Sequence, residues 1–142
     1  MDANKPHFSL IDHTADLGIM VRGKNLKHLF EEAAKSMMYI TFKGKSTNKS
    51  EIIKLSVAGY DLADLMVRWL GEILYQFEGE HKLVTNVGID SISPSHLDAT
   101  LEMVSFDPSL HEILREIKAV TYHQIEVVEK GKHWEARIIF DL

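Results

Sequence analysis

The chain contains no cysteine. Disulfides, thiolate zinc sites and cysteine nucleophiles are therefore excluded, and a metal would have to be held by histidine or carboxylate. Positive charge is also scarce: 16 Lys+Arg stand against 21 Asp+Glu, a formal net charge of −5. A mildly acidic domain does not attract nucleic acid through its bulk field, so such contact needs a local basic patch or a partner that holds the polymer. No apolar run approaches the length of a membrane span, and the N-terminal MDANKPHF lacks the apolar stretch of a secretion signal. Neither a Pro/Ser/Gly-rich linker nor an internal repeat divides the chain. What remains is 142 residues, 45% apolar and 26% charged, the composition of one soluble domain over 1–142 with a cytoplasmic setting expected.

Two segments carry helical periodicity. After Asn25, a capping residue, the apolar residues Leu26, Leu29, Phe30, Ala33, Ala34, Met37 and Met38 form one stripe, with Lys27, Glu31, Glu32 and Lys35 on the other side. After Asp61 the stripe runs Leu62, Leu65, Met66, Trp69, Leu70, Ile73, Leu74 and Phe77, ending before Gly79. Each stripe needs a surface to cover, and the strand-like segments supply it. These are Phe8 to Ile11, Leu17 to Arg22, Glu51 to Ala58, Leu83 to Ile92 and Leu97 to Val104, then a long β-rich run within Ile113 to Val128, and Trp134 to Phe140. Ser93-Pro94-Ser95 and Lys130-Gly131-Lys132 read as hairpin turns. The expected fold is α+β, of order ββαβαββββ, with two amphipathic helices packed on one mixed, largely antiparallel sheet.

Three segments carry polar chemistry. Asp12-His13-Thr14-Ala15-Asp16 reads either as a self-capped turn or as part of an oxygen-rich pocket for Mg²⁺ or Ca²⁺. One such turn does not complete a coordination shell. The chain ends Arg137-Ile138-Ile139-Phe140-Asp141-Leu142, apolar and β-forming to its last residue, which points to a docked strand rather than a frayed tail. Docking would hold the Asp141 side chain near the Leu142 α-carboxylate, two anions that repel unless a cation or donors neutralise them. The alternative is a strand ending in solvent with hydrated charges.

In the third segment, Glu116 to His123, strand geometry places Glu116, Lys118, Val120 and Tyr122 on one face and Ile117, Ala119, Thr121 and His123 on the core face. Lys118 beside Glu116 reads as a solvated ion pair, or else as a lysine aimed at a phosphate or carboxylate. His123 reads as a core histidine. The other histidines show no HxH or HExxH spacing, and Walker, GxGxxG and nucleophile-elbow motifs are absent.

These segments together resemble the archease family. Asp12-His13-Thr14-Ala15-Asp16 with Leu17-Gly18-Ile19 is similar to its N-terminal signature. Glu116-Ile117-Lys118-Ala119-Val120-Thr121-Tyr122-His123 is similar to its central one, and the Ile138-to-Leu142 ending matches as well. The stretches Leu26 to Ala34 and Asp61 to Tyr75 match its two helices, and His111 stands at the expected distance before Glu116. The departures are Ser105-Phe106, where a Gly-Glu pair is common, and Ile113, where proline is common; both bear on the loop at 105–115. The resemblance implies an activator rather than an enzyme. Its partner would be an RtcB-type RNA ligase, which joins a 2′,3′-cyclic- or 3′-phosphate RNA end to a 5′-hydroxyl end in tRNA splicing and RNA repair. The activator promotes guanylylation of the ligase's own histidine, and so its multiple turnover. GTP and Mn²⁺ belong to the ligase, and RNA is met only through it. The resemblance also implies that Asp16, Asp141 and the terminal Leu142 hold a divalent cation, calcium before Mg²⁺ or Mn²⁺, and that Lys118 serves activation. Asp12, His13, Glu116 and His123 are supporting candidates. Two other classes stay open: a stand-alone metal-dependent phosphoesterase using Asp12, Asp16 and Asp141, and a chaperone-like interaction module, which would need an exposed apolar patch.

Overall fold

The computed structural model describes residues 5–11, 16–44 and 49–142, and in it the two periodic segments become helices α1, Leu26–Thr41, and α2, Leu62–Glu80. Both start at the expected caps. The Asn25 side chain accepts the His28 N–H at 2.9 Å, and the Asp61 carboxylate accepts the Asp64 N–H at 2.8 Å. Each bond satisfies a first-turn donor that has no partner within the helix. The end of α2 departs from the expectation. The helix passes through Gly79 and stops at Glu80, where His81 takes the left-handed conformation (φ 55°) and donates its N–H to the Gln76 and Phe77 carbonyls. Gly79 marks a close approach rather than a stop, because a Cβ there would lie 2.6 Å from the Tyr75 ring.

The strands are β1 Phe8–Ile11, β2 Asp16–Gly23, β3 Phe42–Gly44, β4 Glu51–Ala58, β5 Lys82–Ser93, β6 His96–Ser105, β7 His111–Ile113, β8 Ala119–Val120, β9 Glu126–Lys130 and β10 His133–Asp141. The α+β class, the two helices and both hairpins agree with the sequence reading. Three short strands, β3, β7 and β8, extend the expected order. Every described pairing is antiparallel, and the pairings fall into three sheets rather than one mixed sheet. One runs β1-β2-β10-β8 with β9 also on β10, another is β4-β6-β5, and the smallest is β3-β7. Side chains of α1 explain one break: at the β5 edge, Glu31 accepts the Ile89 N–H at 2.9 Å and Lys27 donates to the Asp90 carbonyl at 3.1 Å. Those backbone groups are satisfied by a helix, so no further strand is needed there.

The long strand expected within 113–128 is divided. β8 and β9 both pair with β10, but residues 121–125 lie between them where β10 has only 138–139. The surplus turns outward at Gln124 (φ 53°), with the Ile125 N–H on the Tyr122 carbonyl at 3.3 Å. The 105–115 loop is also ordered locally. Asp107 accepts the Ser109 N–H and hydroxyl, His111 Nδ1 accepts the Asp107 N–H, and β7 then docks on β3.

Both stripes are buried. Leu29, Phe30, Ala33 and Ala34 of α1 and Leu65, Met66, Trp69 and Leu70 of α2 meet Ile19, Ile138 and Phe140 in one core. The Trp69 indole N–H donates to the Phe30 carbonyl at 2.9 Å, so its polar edge is satisfied inside that core. Among the described residues, no helix is long and apolar enough to cross a membrane.

Candidate functional site

The core fixes which way the acidic residues face. Leu17 on β2 and Phe140 on β10 are paired, and both pack into the core beneath the helices. Strand alternation then sends their neighbours, Asp16 and Asp141, to the opposite face of the sheet. The register makes Asp16 and Asp141 direct partners. Directly opposed residues of an antiparallel ladder have Cβ atoms about 4.5–5.5 Å apart. On that same outer face Arg22 lies opposite Glu135, and the two form an ion pair at 3.3 Å. One end of the face thus pairs opposite charges and the other end pairs like charges. Among the described residues, no ion pair to Lys, Arg or His is recorded for either aspartate.

A third remote segment joins this end of the sheet. The Lys118 N–H donates to the Asp141 carbonyl at 2.8 Å, and Ala119 is the ladder partner of Asp141 on β8. Lys118 and Asp141 are exposed and Asp16 is half-buried. The expected docking of the C-terminal strand is present: β10 runs to Asp141, and Leu142 follows it at 41% exposure.

These groups fit a hard divalent cation, because carboxylate oxygens are its preferred ligands and an opposed pair gains by neutralisation. Among the described residues, no group of three or more His, Asp or Glu is placed to hold a metal. A further oxygen would come from the Leu142 carboxylate; Asp12 and His13, the supporting candidates, lie outside the described residues.

Other expectations in the central segment need correction. Ile117 is buried, as expected, but Ala119 is exposed while Val120 packs against the core. Residues 114–118 are not a strand, so the two-residue alternation is lost before β8 begins. His123 is exposed rather than a core histidine; its backbone N–H donates to Thr121 Oγ1 at 3.2 Å. Glu116 is exposed and forms no ion pair with Lys118.

Sequence reasoning missed a neighbouring cluster. Asp64, buried in the first turn of α2, accepts the Tyr122 hydroxyl at 2.7 Å on one oxygen. Its other oxygen takes the Tyr60 N–H at 2.8 Å and Arg68 Nε at 2.9 Å. The Tyr122 hydroxyl first, then the Tyr60 amide and Arg68, hold the Asp64 carboxyl below its ordinary value of 3.8. The same bond, reinforced by burial, pushes the Tyr122 hydroxyl above 10.0. The spacing Asp61-x-x-Asp64 and the i,i+4 pair Asp64–Arg68 were visible signals. Nothing local connects Asp64 to Tyr122.

The archease protein family matches this chain over residues 8–142, a span that includes Asp16, Lys118 and Asp141. The chain belongs to the archease family. It is 31% identical over 137 residues to the archease of Sulfurisphaera tokodaii, covering 95% of this chain and 98% of that one. The Pyrococcus abyssi archease is 32% identical over 136 residues, covering 92% and 95% respectively. The solution structure of Methanobacterium thermoautotrophicum protein 1598 superposes with a TM-score of 0.72 at 28% identity, over 95% of this chain and 98% of that one. A Thermotoga maritima crystal structure, described as an archease and possible chaperone, shares the fold with a TM-score of 0.62 at 18% identity, over 93% and 94% of the two chains. In this archease fold the like-charged row and the Lys118 segment converge at one end of one sheet, and Asp64 braces that segment from α2.

Proposed function

We propose that this archease-family chain activates an RtcB-type RNA ligase, promoting guanylylation of the ligase histidine and its multiple turnover in tRNA splicing and RNA repair. The observation that carries the reading is the register that opposes Asp16 to Asp141 while the Lys118 amide binds the Asp141 carbonyl. Asp16, Asp141 and the Leu142 carboxylate are the residues that would hold one divalent cation, calcium before Mg²⁺ or Mn²⁺. Bound there, the cation would offset two of the three carboxylate charges and offer an open position to a phosphate oxygen. Lys118 presents an exposed ammonium at the same end of the sheet, suited to a phosphate as a point charge. Phosphoryl and nucleotidyl transfer depend on positioning and charge neutralisation, which an accessory protein can supply to a partner's site. GTP and Mn²⁺ stay with the ligase, and so does the RNA, since this chain carries net charge −5. The setting is cytoplasmic, and the chain acts as activator rather than enzyme.

The test is ligation at limiting ligase, with and without the protein. Multiple turnover is expected only with it. Lys118→Ala should abolish most of the stimulation while melting and calcium binding stay at wild-type levels, since an exposed lysine adds little to stability. A Lys118→Ala protein that melts early yet activates fully would make Lys118 structural. Hydrolysis of phosphoesters by the pure protein with Mg²⁺ or Mn²⁺ would favour the phosphoesterase reading. Suppression of aggregation of an unrelated client would favour the chaperone reading, against which both apolar helix stripes lie in the core.

A further inference from the structure

The segment that carries Lys118 has few regular contacts of its own. Between β7 and β9 only Ala119 and Val120 pair as a ladder, against Asp141 and Phe140. Ile117 seals one side of Lys118 into the core, and the Thr121 amide and hydroxyl both donate to the Ile139 carbonyl, at 3.0 and 2.9 Å. Beyond Thr121 the chain leaves β10 and turns at Gln124. At that departure the Tyr122 hydroxyl reaches Asp64 at 2.7 Å, although Tyr122 is 56% exposed. A tyrosine that exposed does not need a buried partner for its own hydroxyl, since water would serve. The bond therefore matters for where it ties the chain.

Asp64 makes a fixed post. Its second oxygen is held by the Tyr60 amide and Arg68, and the helix beneath it is anchored by Leu65, Met66 and Trp69, each fully buried. Gly59 lets the chain close over it, because a Cβ there would lie 2.8 Å from the Leu65 nitrogen and 3.2 Å from an Asp64 carboxylate oxygen. We propose that Asp64 and Tyr122 are positioning residues for ligase activation: the hydrogen bond clamps the far end of the Lys118 segment to α2, and so fixes Lys118 relative to Asp141. The inference rests on the reading of Lys118 as the activating group. Without the clamp the 121–125 turn swings free of α2, and the two-residue β8 ladder, with the Lys118 amide on the Asp141 carbonyl, frays from its open end. A displacement of about 1 Å at a reacting site costs up to roughly a hundredfold in rate.

The experiment uses the full chain with Tyr122→Phe, which removes only the hydroxyl, beside Lys118→Ala. Ligase guanylylation is measured against activator concentration, and amide hydrogen exchange is followed at Lys118 and in α2. The expected result for Tyr122→Phe is a maximal rate lowered about ten- to a hundredfold, with half-saturation changed less than about twofold. The Lys118 amide should exchange faster while core amides of α2 keep their protection. A wild-type maximal rate overturns the inference when Lys118→Ala is inactive in the same assay. A raised half-saturation with unchanged maximal rate overturns it too, by making Tyr122 a contact with the ligase. So does loss of protection throughout α2, which would make the bond part of global stability. If Lys118→Ala activates fully, the underlying reading fails instead, and the inference falls with it.

Discussion

Replacing Asp16 by Asn should act with opposite sign in the absence and presence of calcium. Asp16 and Asp141 are direct partners on the outer face, and among the described residues neither has a recorded ion pair to Lys, Arg or His. Two unit charges about 5 Å apart repel by about 0.8 kcal/mol in a water-like dielectric, and opposed like charges in a ladder cost roughly 0.2–1 kcal/mol. Asn keeps the shape and the backbone ladder while removing one charge. The cation-free variant should therefore gain up to about 0.8 kcal/mol, or about 1–3 °C in melting temperature for a domain of this size. With calcium at about a hundred times its dissociation constant, the wild type should gain about 2.7 kcal/mol, roughly 8–10 °C. On the proposed site the variant lacks one charged ligand and should gain much less, so the order of the two melting temperatures should invert. Thermal melts in chelator and in calcium, with ionic strength matched by sodium chloride, read this directly, and calorimetric titration supplies the affinities. Equal calcium shifts for both proteins would remove Asp16 from the site. A variant no more stable than wild type in chelator would mean that the opposed pair carries no strain.

A chain extended beyond Leu142 exchanges the terminal carboxylate for a neutral amide carbonyl, so a C-terminal tag should weaken both calcium affinity and ligase stimulation. A tag before Met1 should do neither, and removal of Asp141 and Leu142 should do more damage than the C-terminal tag; equal behaviour of the two tagged proteins would leave the charged site to Asp16 and Asp141. The Asp64–Tyr122 bond predicts a stability plateau with two edges. Asp64 is lowered in the fold, so its contribution is complete above 3.8 and is lost as pH falls through the lower folded value. Tyr122 is raised, so its contribution is complete below 10.0 and is lost as pH rises through the higher folded value. Denaturation midpoints followed across pH should show both edges in the wild type and a weakened alkaline edge in Tyr122→Phe; an unchanged alkaline edge would refute the assignment to this bond.

The sequence by itself determined the elements whose information is local. The stripes at Leu26–Met38 and Leu62–Phe77 specify helices because side chains three and four residues apart share a face. Asn25 and Asp61 mark their starts because a short polar side chain satisfies the first-turn amides. Ser93-Pro94-Ser95 and Lys130-Gly131-Lys132 close hairpins because their flanking strands are neighbours in the chain. It also supplied the acidic residues and the lysine of the candidate site, through their types and their resemblance to family motifs. Tertiary structure alone decided that Asp16 stands opposite Asp141. That register follows from burying Leu17 and Phe140 together, and a slip of either strand by one residue would turn that strand's aspartate to the core face and end the opposition. It also broke the apparently continuous strand at 113–128, because β10 offers room for β8 and β9 but not for the residues between them. The surplus left the sheet, so Ala119 and His123 became exposed and Tyr122 was carried to Asp64. Period-two alternation describes a residue's face only while the chain stays in a ladder. Whether it stays there depends on partners that are remote in sequence.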